Sequence, residues 1–153
     1  MVSKNVVSVY FAGLLQGLTL VSFPAASSIF TNPIYFNLSS AEYGGLFIPQ
    51  AAFSIIASLL GVRLAQLKSI KFVFLIGLAA NLLAMFLFSI SAFFIEHQTV
   101  AYGILLLATT SLGIGFGLTV PSLNNFAALF FPKKIDSAVL VLNALLGAGT
   151  ALA

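Results

Sequence analysis

The chain has 153 residues, of which 61% are hydrophobic and only 6% charged, with a net charge of +3. A soluble domain is about a quarter charged, so this composition excludes a globule covered by water, and 16 Phe exclude a disordered segment, which is poor in aromatics. The absence of Cys and the single His exclude disulfide frameworks, thiol catalysis and Cys/His zinc sites.

Charged residues divide the sequence into long uncharged runs at 6–30, 43–62, 72–95, 100–131 and 137–153. Roughly 20 helical residues cross a bilayer core of about 30 Å; four runs are long enough and the fifth is marginal. Segments such as 72–76 and 104–108 are apolar on both faces, which is not the alternation of an outer-membrane barrel. In hydrocarbon a helix satisfies its own amides. The sequence therefore predicts an all-α, polytopic membrane protein with five transmembrane spans, at 6–30, 41–62, 72–95, 100–131 and 137–153.

The first span follows Lys4 and is longer than the 7 to 15 apolar residues of a secretion signal, so it is read as retained. After it, Asn32-Pro33 disfavours continued helix, and Ser39 with Glu42 three residues later has the spacing of a capping box that starts the second span near Ser40. The Asn37-Leu38-Ser39 sequon sits in this short connector and is read as a chance match. In the second span Gln50 follows Pro49 and is expected to answer the carbonyl that the proline frees. Asn81 in the third span is read as structural, and Glu96-His97 as solvated turn residues. The fourth run, about 48 Å if helical throughout, has to tilt, project into water or break near Pro121. Pro132 stops it, and Asp136 is placed to cap the fifth span.

All six basic residues lie in three alternate segments: Lys4, then Arg63, Lys68 and Lys71, then Lys133 and Lys134. The positive-inside rule then puts the N-terminus and the two basic connectors in the cytoplasm, and the expected location is the plasma membrane. The net charge is thus a topology signal; short turns lack the basic stripe and stacking groups of a nucleic-acid surface, and the partners expected of these lysines are anionic lipid headgroups. The sequence ends within an apolar pattern at Gly147-Ala148-Gly149-Thr150-Ala151-Leu152-Ala153, so a partial chain is expected.

Gly113, Gly115 and Gly117, then Pro121-Ser122-Leu123-Asn124, then Phe131-Pro132-Lys133-Lys134, Ser137-Ala138, Asn143, Gly147 and Gly149 together resemble the fourth and fifth helices of the major facilitator superfamily. Residues 37–44 look like that family's first external loop. The resemblance implies the first five helices of a twelve-helix secondary transporter, most of an N-terminal six-helix domain, with the missing C-terminal half as partner. In the cytoplasmic loop between the second and third spans, Gly61, Arg63, Lys68 and Lys71 fit the family pattern loosely. Ala65 stands where the family carries an Asp and Gln66 where it carries an Arg, and the fourth span lacks the buried Arg of many proton-coupled members. The glycine-rich end of the fifth span is similar to the start of a drug-antiporter signature.

No ionisable side chain lies within an apolar run, so neutral residues are the candidates. Gln16 shares a stripe with Ala12, Gly13, Leu20 and Pro24, and either lines a solute path or bonds another helix. Gly113, Gly117, Pro121 and Asn124 share one face of the fourth span, and Asn143 can lie at the depth of Asn124 across the Pro132 turn. The candidates for a substrate path are Gln16, Asn124 and Asn143; those for gating or close helix packing are Gly13, Gly17, Gly113, Gly117, Pro121, Gly147 and Gly149. Gly113-Ile-Gly-Phe-Gly117 lacks the preceding strand and following acid of a dinucleotide site. The functional expectation is transport of a small solute without a cofactor or enzymatic activity. A non-transporting membrane scaffold is the alternative, and a membrane enzyme ranks third for want of paired carboxylates or an activated nucleophile.

Overall fold

A computed structural model describes residues 4–152. The chain folds as α1 (Lys4–Ala25), α2 (Ser27–Thr31), α3 (Ser40–Gly45), α4 (Phe47–Leu67), α5 (Ile70–Ser91), a 3-10 turn at Ala92–Phe94, α6 (Gln98–Phe130) and α7 (Ile135–Ala151). No strand is present among the described residues. Lys4–Thr31, Ser40–Leu67, Ile70–Phe94 and Gln98–Phe130 are each long and apolar enough to cross a membrane, while α7 is apolar but shorter, at 17 residues.

The helices overrun the uncharged runs because a charge ends hydropathy and not a helix. α4 continues through Arg63 to Leu67, since a long basic side chain can reach water from a helix whose backbone is still bonded. Ser69 then opens α5, its hydroxyl accepting the Phe72 amide at 3.1 Å. Proline explains one of the two breaks. Pro49 has no amide to give the Gly45 carbonyl, and the chain turns at Leu46 between α3 and α4. The other break is at Ala26, two residues beyond Pro24.

The connector after α2 closes as the sequence requires. Ser39 and Glu42 form the reciprocal capping box: the Ser39 amide donates to Glu42 Oε2 at 2.8 Å, and the Glu42 amide to Ser39 Oγ at 3.2 Å. The Asn32 side chain accepts the Ile34 amide at 2.9 Å, and Asn37 adopts a positive φ of 50°, which Asn tolerates. Phe36 and Leu38 fold inward on either side of it. They join Phe23, Phe30 and Leu46 in a buried cluster with Leu105 and Leu112 of α6. By contrast, Asp136 does not cap α7. Lys134 occupies the cap position with no side-chain hydrogen bond, and Asp136 lies inside the first turn, where its charge acts only on the helix dipole.

α6 is the axis of the bundle. It packs on α5, α4, α1 and α7, and half of its most apolar window is buried, against 17 to 28% in the other three spans. It also runs unbroken for 33 residues with Pro121 inside, about 50 Å at 1.5 Å per residue, so it meets its excess length by tilt or projection. The outer faces are as apolar as the interior: Leu59 is 68% exposed, Leu82 74% and Leu140 70%. Such a surface is stable in lipid, where apolar exposure carries no hydrophobic penalty.

Candidate functional site

Two features gather around α6, and a third lies between α1 and α7. At mid-height, Asn81 Nδ2 donates to Gln16 Oε1 at 2.7 Å, joining α5 to α1, and both residues are buried. These residues stand near the middles of their spans, and Gly115 stands near the middle of α6. A Cβ at Gly115 would strike the Asn81 amide, so a glycine there is what lets the pair exist. Gln16 is therefore a helix-to-helix strut, and Asn81, read from the sequence as structural, supplies its partner. Gln16 Nε2 and Asn81 Oδ1 have no partner.

The second feature is the seam between α6 and α4. The Gln50 carbonyl lies against Gly113 and the Ser54 carbonyl against Gly117, so close that a Cβ on either glycine would collide with α4 backbone. One turn on, the Ser58 hydroxyl donates to the Gly117 carbonyl at 3.0 Å. That carbonyl is the one left without an amide by Pro121, four residues later. Gln50 Nε2, the donor that could answer the carbonyl freed by Pro49, makes no hydrogen bond among the described residues, and Oε1 is buried without a partner; the proline that a side chain answers is Pro121.

Two cavities flank this seam. On the α1 side, about 250 Å³ is lined by Leu20, Phe47, Gln50, Ala51, Ser54 and Phe116. On the α5 side, about 320 Å³ is lined by residues including Ser58, Gly61, Gln66, Pro121, Ser122 and Asn125. Asn124 is half-buried with an unpartnered Oδ1. Asn143 is exposed on α7, and no hydrogen bond joins it to Asn124 among the described residues. Gly61 is buried beside Leu118, whereas Arg63, Lys68 and Lys71 are exposed.

The third feature is a seam between α1 and α7. The Tyr10 hydroxyl donates to the Ala138 carbonyl at 3.0 Å, Gly13 abuts Leu142, Gly17 abuts the Leu146 carbonyl, and Gly149 abuts the Leu14 carbonyl. Contacts advance together along both helices, so α1 and α7 run parallel, as do α4 and α6. Gly147 has nothing within 4 Å and takes no part.

These two seams are copies of one another. Residues 13–22 and 113–122 share Gly13/Gly113, Gly17/Gly117, Leu18/Leu118, Thr19/Thr119 and Ser22/Ser122 at a constant spacing of 100. In each copy the two glycines face a parallel helix, Leu142 and Leu146 in one case and Gln50 and Ser54 in the other, so the partners differ by 92 in both. α1 begins at the end of the bundle that carries Lys4, Lys68 and Lys134, and α6 begins at the end that carries Glu42 and His97. The copies therefore run in opposite directions. Sequence reasoning noted the glycines one span at a time; aligning the spans against each other finds the repeat. Comparison with family models, curated proteins and solved structures gives no match to this chain.

Proposed function

We propose that the chain is the N-terminal part of a secondary transporter of the major facilitator type. In this reading five spans lie in the plasma membrane with the N-terminus in the cytoplasm, and a small solute passes between this unit and a second half. The observation that carries the reading is the inverted repeat. Repeats of opposite direction, with polar groups at their interface near mid-membrane, are a general plan of secondary transporters. The five lysines and one arginine collected at one end supply the orientation.

The solute path follows the gap between α1 and α4, backed by α6, where Gln50 and Ser54 offer neutral hydrogen-bonding groups beside Phe47 and Phe116. Asn124 extends it along α6, and Asn143 serves only through a second half that covers α7. Gln16 borders the path as the strut that fixes α1. Uptake and efflux of a panel of labelled solutes by cells carrying the full-length chain tests this. Gln50→Leu and Asn124→Leu are each expected to cut transport roughly tenfold, the effect of leaving one buried polar group of a solute unpaired. Unchanged transport in both variants would remove these residues from the path.

A further inference from the structure

We infer that Ser58 is a positioning residue for a hinge in α6, holding it straight at Gly117–Pro121 by standing in for the amide that Pro121 lacks. The effect on the transport cycle rests on the reading above; the hinge itself does not. Pro121 leaves the Gly117 carbonyl without its intrahelical donor, and an unpaired carbonyl in hydrocarbon is costly. The Ser58 hydroxyl supplies the donor at 3.0 Å. Because Ser58 belongs to α4, any slide of α4 along α6 breaks this bond, whereas an ordinary helix bond would survive it.

The repeat provides an internal control. Val21 stands at the position of Pro121, so the Gly17 carbonyl keeps an amide donor four residues on. The residue 92 positions after Ser58 is Thr150, and its hydroxyl turns back to its own helix, donating to the Gly147 carbonyl at 2.6 Å. At this matched position the hydroxyl crosses between helices in the copy that has the proline and turns back to its own helix in the copy that has Val21. The surroundings of Pro121 permit bending. Gly113, Gly115 and Gly117 precede it without side chains, and the 320 Å³ cavity lies alongside, lined by both Ser58 and Pro121. The nearby Ser122 hydroxyl is committed to the Leu118 carbonyl at 2.8 Å and so does not replace Ser58.

The test is a double-mutant cycle in the full-length protein in lipid nanodiscs, comparing wild type, Ser58→Ala, Pro121→Ala and the double variant. Hydrogen exchange is read on peptides covering 117–125. Ser58→Ala is expected to speed exchange about threefold to twentyfold, the range of interhelical hydrogen bonds in membranes. In the Pro121→Ala background, where an amide is restored, the same change is expected to do nothing, and Ser58→Thr is expected to behave as wild type. Equal acceleration in both backgrounds, or none in either, overturns the hinge. Transport by the same four proteins is read separately: coupling in exchange with uptake unaltered overturns the role in transport.

Discussion

Gly117→Leu is expected to leave little or no folded protein. The first atom beyond Cα would be driven into the Ser54 carbonyl and against the Ala57 side chain. A flexible side chain could swing away, but a carbonyl within the hydrogen-bond ladder of α4 cannot, so the helices have to separate. Overpacking a core costs typically about 1 to 3 kcal/mol, and a backbone-to-backbone collision belongs at or above the top of that range. Separation would also release the Ser58 bond to the Gly117 carbonyl. The matched control is Gly147→Leu, on a surface with open space around it, where removing a glycine from a helix interior gains up to about 1 kcal/mol in propensity. Size-exclusion profiles and thermal unfolding in detergent are expected to show loss for the first variant and none for the second. Equal losses would mean that the glycines matter for something other than the approach of the helices.

The second large effect is expected at the Gln16–Asn81 strut. Gln16→Leu leaves the Asn81 amide buried with neither group paired, which costs about 1 to 3 kcal/mol. The reverse substitution, Asn81→Leu, strands Gln16 in the same way. The double variant removes both polar groups and is expected to recover most of the loss, because an apolar pair of similar size needs no hydrogen bonds. The two substitutions should thus be non-additive by about 1 kcal/mol or more, as residues in contact are. Unfolding midpoints of the four proteins in one detergent measure this. Strict additivity would mean that the 2.7 Å bond between α1 and α5 does not form in the membrane.

Four of the five expected spans were legible in the sequence because hydrocarbon imposes one demand on them, length without charge, and those helices agree with the expected ones to within a few residues at most ends; the fifth, α7, is apolar but only 17 residues long. The overrun at Arg63 to Leu67 was not legible, since hydropathy falls there while the backbone ladder continues. The Ser39–Glu42 box was readable because both partners lie within one turn. Asp136 misled for the same local reason: the spacing allowed a cap, but Lys134 took the position. The strut was half legible. Gln16 stood out as a mid-span amide, but its partner 65 residues away depends on which helices become neighbours, and no local pattern encodes that. Ser58 was invisible for a similar reason, being one more small hydroxyl until Pro121 of another helix is laid beside it. The repeat was present in the letters throughout, in Gly13, Gly17 and Thr19 against Gly113, Gly117 and Thr119, and becomes persuasive only once both seams are seen.

Underlying all of this is the claim that the helices thread a lipid layer with their basic end in the cytoplasm. Residues 1–153 contain no Cys, so in a protein of these residues Lys68→Cys and His97→Cys each introduce a single reporter at exposed turns at opposite ends of α5. In intact cells a membrane-impermeant maleimide is expected to label His97→Cys, and to label Lys68→Cys only after the cells are opened. Labelling of both in intact cells, or of neither until permeabilisation, would contradict it.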